Sequence, residues 1–140
     1  MPTVPAKEAV IIDGMTTPGP IVPDGGGYRH SYEITSPARV VHVSGQIPVA
    51  PDGTAPATFG SQCRQAWANL AAALAHHGMQ LSDVVKLTTF LADRSYREEN
   101  ATIRREILGD HAPALTVIIT GIYEEEWLLE IEAVAARELP

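Results

Sequence analysis

Leu128-Leu129-Glu130-Ile131-Glu132-Ala133-Val134-Ala135 is the stretch whose period decides the fold. Apolar residues and carboxylates take turns along it, as in a β-strand, so Glu130 and Glu132 share one face with Leu128 and Val134. Upstream, Leu115-Thr116-Val117-Ile118-Ile119-Thr120 is a second β-branched run, joined to the first through the acidic turn Tyr123-Glu124-Glu125-Glu126. Both runs carry large apolar side chains on both faces, Leu128 with Leu129 and Ile118 with Ile119. A sheet packed by helices on one side would still need a cover on the other, and copies of the same chain are the simplest cover.

Working outward, residues 85–91 read as another strand. Phe59, Cys63, Ala66, Trp67, Leu70 and Leu74 recur every three or four residues, giving a helix that begins at Thr58 and is closed by Gly78. His76 and His77 fall in its last turn, where they complement the helix dipole; adjacent helical residues diverge by about 100°, which is poor geometry for a shared metal. Residues 81–84 add one further turn. Ser95-Tyr96-Arg97-Glu98 has the form of a capping box, so Ser95 is expected to cap a second helix ending at Leu108 before Gly109, with Tyr96, Asn100, Ile103 and Ile107 facing inward. Towards the N-terminus, residues 40–44 form a strand, expected to make a hairpin with the alternating segment 28–34. Residues 8–13 read as a short strand, and the Pro- and Gly-rich stretch after it is either a surface excursion or a loop edging a site. The order is β-β-β-α-β-α-β-β: one α+β domain over residues 1–140, a sheet with two helices packed on one face.

Composition narrows the function. Ten Lys and Arg against seventeen Asp and Glu give a net charge of −7. With no clustered basic run, that balance argues against nucleic acid and anionic membrane as partners. No apolar stretch is long enough to span a bilayer and no signal peptide is evident. The single cysteine excludes an internal disulfide, so the expected location is the cytoplasm. A Gly-rich phosphate loop, a paired-histidine helix motif, Cys-x-x-Cys and Gly-x-Ser-x-Gly are all missing, and neither a cofactor nor a metal is expected. Cys63, on the apolar stripe, reads as a buried, inert thiol. Glu130 has two open readings: a carboxylate among apolar neighbours, suited to acid–base work, or part of a solvated strand face. Asn100 either contacts a ligand or satisfies backbone groups in the core.

Five segments in register then add up to a resemblance. Val43-Ser44-Gly45-Gln46-Ile47-Pro48, the helix segment from Gln62 through Arg64-Gln65 to Asn69-Leu70, Asp83-Val84-Val85-Lys86 with Thr88-Thr89-Phe90-Leu91, Asn100, and Glu130-Ile131-Glu132-Ala133 resemble the RidA/YjgF family of reactive-intermediate deaminases. The resemblance implies a chorismate-mutase-like α+β fold and a homotrimer, its sheets forming a central barrel with active-site clefts between subunits. It implies hydrolysis of enamines and imines such as 2-aminoacrylate, with Glu130 as the catalytic residue and Tyr28, Ser44 and Asn100 shaping the cleft.

One departure matters. Where the family's Pro-Ala is followed by an arginine that pairs with the substrate carboxylate, this chain reads Pro113-Ala114-Leu115, and the family's Gly-Pro-Tyr is Gly26-Gly27-Tyr28. Leu115 can line a site but cannot hold a carboxylate, which leaves Arg29 and Arg39 as substitute cations. The expected function is therefore an imine or enamine hydrolase other than the typical 2-iminopropanoate deaminase. The alternative is a non-catalytic trimer that binds a small ligand. Ribonuclease or holdase activity, ascribed to some family members, is a third reading, and the acidic balance counts against the first of these.

Overall fold

The computed structural model describes residues 27–36 and 38–139, together with two short strands, β1 (Ile11–Ile12) and β2 (Met15–Thr16), which pair antiparallel. The rest of the segment expected as a strand over 8–13, and most of the breaker-rich stretch after it, lie outside the described residues. Next come β3 (Ala38–Gln46), α1 (Phe59–Ala75), β4 (Val84–Leu91), α2 (Arg97–Leu108), β5 (Ala114–Ile119) and β6 (Leu129–Glu138). The four longer strands form one mixed sheet in the order β3-β6-β4-β5. β6 runs antiparallel to both neighbours, β3 and β4, and β5 runs parallel to β4 through the α2 crossover.

The periods read from the sequence put the core on one face. Leu129, Ile131, Ala133 and Ala135 of β6 and Leu87 and Leu91 of β4 meet Cys63, Ala66, Trp67, Leu70 and Leu74 of α1 and Ile103 and Leu108 of α2. Full burial of each large side chain in this set contributes about 1.5–3 kcal/mol. Thr58 caps α1 as expected, its Oγ1 accepting the Ser61 N–H at 3.2 Å. Gly78 ends the turn with a φ of +72°, in the left-handed region. Residues 81–83 form the expected extra turn, as a 3-10 helix.

Four expectations are corrected. The segment over 28–34 is not a strand and makes no hairpin with β3. Arg29 instead bridges to Ala114 in parallel, its N–H donating to the Pro113 carbonyl at 3.0 Å. β3 pairs with β6 instead, and β3 stands at the end of the sheet. Ser95 does not cap α2: the Asp93 carboxylate accepts the Ser95 N–H at 2.8 Å and caps a 3-10 turn (Arg94–Tyr96) that leads into the helix. Ser95 thus lies inside that turn, and Tyr96 stands at the start of α2 with no side-chain cap bond. The buried face of α2 consists of Asn100, Ile103, Arg104 and Leu108, with Tyr96 and Ile107 only partly buried. Finally, Leu128 lies before β6 and packs on the helix-side core, so it does not flank Glu130 on the same face.

The far end of β6 is tied down electrostatically. Arg137 makes two bonds to Asp83, Nε to Oδ1 at 3.2 Å and the guanidinium to Oδ2 at 2.6 Å, and the Gln80 N–H donates to Oδ2 at 2.8 Å. Burial pushes the Asp83 carboxyl up, but these bonds outweigh it and hold it below the usual carboxylate range. A depressed folded-state value contributes stability above the unfolded value near ~4 and loses it as pH falls through the folded value. With the Arg137 side chain 41% exposed, Asp83→Asn is expected to cost only about 1 kcal/mol at pH 7. Urea titrations in steps from pH 7 into acid check this: the gap between wild type and variant should narrow as pH falls, and a gap independent of pH would assign the loss to packing instead.

Candidate functional site

The sequence-predicted site residues fall into two corners of the chain. In the first, β3 and β6 carry Ser44 and Glu130. Their pairing is broken by a bulge: Val43 opposes Ala133 and Gln46 opposes Ile131, so Ser44 and Gly45 together face the single residue Glu132. Such a bulge bends the strand and re-aims its side chains. The Glu130 side chain folds across the gap this opens. A Cβ placed on Gly45 would lie 2.8 Å from the Glu130 carboxyl carbon and closer still to one of its oxygens. Glycine at 45 is thus what lets the half-buried carboxylate rest on the β3 backbone.

Two buried or half-buried amides fix the loops on either side of this corner. Gln62 of α1, 2% exposed, donates to the carbonyls of Pro56 and Glu126, both at 2.9 Å, and accepts the Leu128 N–H at 2.8 Å. It therefore sets the entry of the chain into β6 two residues before Glu130. Asn69 donates to the carbonyls of Ile47 and Val49, both at 2.9 Å, holding the exit from Ser44-Gly45-Gln46, and its Oδ1 accepts from Gln65 at 2.9 Å. These glutamines and the asparagine position the site without facing it.

The second corner lies on the helix side, where α2 meets the segment beside β5. Asn100 is 3% exposed, and its Oδ1 receives a long contact from the Cys63 thiol at 3.9 Å. Burial pushes that thiol up to about 12, so Cys63 is the inert core residue expected. One turn beyond Asn100 stands Arg104, 5% exposed. Burial works against its charge, and the Tyr28 phenol and the Cys63 thiol are among its electrostatic neighbours. Tyr28 is held here by the Arg29–Ala114 bridge, one residue from Leu115, which packs against the core. Tyr28 and Asn100 thus lie near an arginine that the sequence reading passed over, while Leu115 is next to the bridge that holds Tyr28. The signal for Arg104 was the i, i+4 spacing from Asn100, which puts both on one helix stripe.

The two corners do not meet within one chain. Glu130 lies on the open face of the sheet, opposite Phe90 of β4, whereas Leu115 pairs with Leu87 on the helix face. Strands β6 and β5 are two positions apart, about 10 Å, with the sheet itself between the two side chains. Of the two suspected substitute cations, Arg39 is committed elsewhere, donating to the His77 carbonyl at 2.7 Å behind α1. Arg29 lies beside Tyr32. On the open face a groove of about 260 Å³ is lined by His42, Ser44, Lys86, Thr88 and Glu132, so it includes Ser44 but not Glu130. Among the described residues no cluster of His, Cys, Asp and Glu could hold a metal ion, and no helix is long and apolar enough to cross a membrane.

Comparison with known proteins follows the same residues. A family model described as "Endoribonuclease L-PSP" matches residues 26–137. The 2-iminobutanoate/2-iminopropanoate deaminase of Escherichia coli is 33% identical over 103 residues, 71% of this chain and 80% of that protein. Among solved structures, Escherichia coli TdcF with bound serine superposes with a TM-score of 0.67 at 28% identity, covering 93% of this chain and 98% of that one. A Yersinia pestis member of the conserved Rid protein family, YyfB, gives a TM-score of 0.74 at 25% identity, covering 88% and 97%. The bulged Ser44-Gly45-Gln46 strand, the glutamate folded over it, the amide clamps of α1 and the match over four-fifths of the chain have one explanation: the chain belongs to the RidA/YjgF family, whose known members include reactive-intermediate deaminases.

Proposed function

We propose that this protein hydrolyses the C=N bond of a small imine, or of the enamine in equilibrium with it, in clefts formed between copies of the chain. The observation that carries the reading is the Glu130 carboxylate, seated on Gly45 at a strand bulge in a family that includes a 2-iminobutanoate/2-iminopropanoate deaminase. In the reaction Glu130 takes a proton from water as the water oxygen adds to the imine carbon. It returns that proton to nitrogen, and the carbinolamine collapses to a carbonyl compound and ammonia. Nothing is oxidised or reduced. Asn100 and Tyr28 supply hydrogen-bonding groups and Leu115 an apolar wall. The substrate either lacks an α-carboxylate or has it held away from β5, because Leu115 offers no charge. The net charge of −7 weighs against the RNA cleavage in the family model's description.

A shared cleft resolves the separation of the two corners: the open-face corner of one copy completes the helix-side corner of another. The edge strand β5 supports this arrangement, since Val117, Ile118 and Ile119 are 38%, 42% and 38% exposed, with no strand beyond them among the described residues. The reading takes the assembly to be the homotrimer that the family resemblance implies, so light scattering should give about three times the 15.0 kDa of one chain. Ile118→Asp should yield a folded smaller species that has lost activity. Full activity in a stable monomer would exclude a shared cleft.

Glu130→Gln should abolish most turnover on a panel of neutral and anionic imines while leaving folding and assembly intact. Glu132→Gln, one pleat along on the same face, should be milder. Equal, small effects at both positions would mean a solvated strand face and would refute the catalytic role.

Gly45→Ala tests the seat itself. The atoms its methyl would meet are the mobile end of Glu130, so stability should change by less than about 1 kcal/mol. Turnover should nevertheless fall by about ten-fold or more, because the carboxylate is displaced. Thermal melts beside steady-state rates separate the two effects, and unchanged rates would show that the position of the carboxylate is immaterial.

A further inference from the structure

We propose that Phe90 sets the specificity of this site: its ring is the wall on which the carbon chain of the substrate packs, and the substrate is an imine bearing an unbranched, uncharged alkyl chain. The inference rests on the hydrolase reading above and names its substrate class. Strand register carries it. Phe90 of β4 stands directly opposite Glu130 of β6, and Ile118 of β5 stands directly opposite Phe90. Leu87 and Leu91 of β4 and Leu129 and Ile131 of β6 are fully buried against the helices, so the alternate positions Phe90 and Glu130 share the open face. Directly opposed residues on one face of an antiparallel pair have Cβ atoms about 5 Å apart, close enough for both to touch one small molecule.

The two sides of Glu130 differ in kind. Its carboxylate leans towards β3, onto Gly45. On the β4 side its neighbour is the Phe90 ring, which is only partly buried and takes no part in the helix-side core. Ile118, 42% exposed, carries this apolar row to the edge of the sheet. One pleat along, the corresponding row is polar throughout: Glu132 of β6, Thr88 of β4 and Thr116 of β5, whose hydroxyl accepts from the Lys86 ammonium at 2.7 Å. The groove of about 260 Å³ lies on that polar side and is not lined by Phe90. When Glu130 delivers water to an imine carbon, the chain on that carbon must run over the ring or over the groove. An alkyl chain gains by burial on the ring, whereas in the groove it would strip water from Lys86, Glu132 and the hydroxyls. Leu115, the apolar wall brought by another copy, then closes the chain from the opposite side.

Binding of the methyl ketones butanone, pentan-2-one and hexan-2-one, followed by saturation-transfer NMR titration on the intact protein, tests this without turnover and without a charged group on the ligand. Each added methylene should tighten binding to the wild type by about four-fold. Phe90→Ala should flatten the series to less than about two-fold per methylene. Phe90→Trp, which fills the space the chain needs, should keep butanone and bind hexan-2-one about ten-fold more weakly than the wild type. Light scattering on each variant reports assembly. A series as steep in Phe90→Ala as in the wild type overturns the proposal, as does a wild type that binds no ketone or binds all three alike. Should Phe90→Ala fail to fold or assemble, Phe90→Trp decides, and an undiminished preference for hexan-2-one there overturns it. Loss of assembly in both variants assigns Phe90 to the contact between copies and overturns it as well. The two readings fail separately. A Phe90-dependent series without hydrolysis of any imine removes only the hydrolase assignment, while hydrolysis with an affinity indifferent to chain length removes only the role of Phe90.

Discussion

β6 is bonded on both edges, to β3 and to β4, and every other element takes its place from that strand. Its period of two is fixed by backbone geometry. Once Leu129, Ile131, Ala133 and Ala135 go down into the helix layer, Glu130, Glu132 and Val134 must stand on the opposite face. The large apolar residues of α1 and α2 have no other surface to cover, so their burial and the exposure of the two carboxylates are one constraint. A shift of one residue in β6 would drive both glutamates into the core, where the cost of unpaired buried charge far exceeds the worth of any hydrogen bond gained.

The same strand accounts for several polar groups of the family pattern that bond within the chain. Gln62 fixes the chain as it enters β6, Asp83 and Arg137 tie the strand near its exit, and Asn69 holds the loop leaving β3. Each is an internal bond whose loss would leave a buried or half-buried polar group unsatisfied. Their effect on chemistry is indirect: they keep the bulge at Ser44-Gly45 in register with Glu130, so the carboxylate has one resting place.

Sheet geometry also divides the chemistry. A carboxylate on the open face and an amide, a phenol and a guanidinium on the helix face are separated within one chain by the thickness of the sheet. Under the proposed shared cleft, assembly is a condition for catalysis and not only a source of stability.

Local patterns were legible in the sequence because their causes are local. The 3.6-residue period gave both helices, alternation gave β6, apolar β-branched runs gave β3, β4 and β5, and Thr58 and Gly78 marked the ends of α1. The quoted motifs gave the family, and with it Tyr28, Ser44, Asn100, Glu130 and Leu115. What the sequence could not show depends on competition between distant segments. Residues 28–34 alternate like a strand, but the segment bridges through Arg29 to Ala114 at the start of β5, a contact between positions far apart in the sequence. Ser95 had the form of a cap, but it lies inside a turn that Asp93 caps. Arg104 is a charged residue on a helix until Tyr28 is laid across its turn, and Glu130 is a strand carboxylate until the bulge brings Gly45 beneath it. Sequence fixes which residues can share a face; which faces then meet is decided by the tertiary structure, because strand pairing and the burial of charge are settled only when the whole sheet has formed.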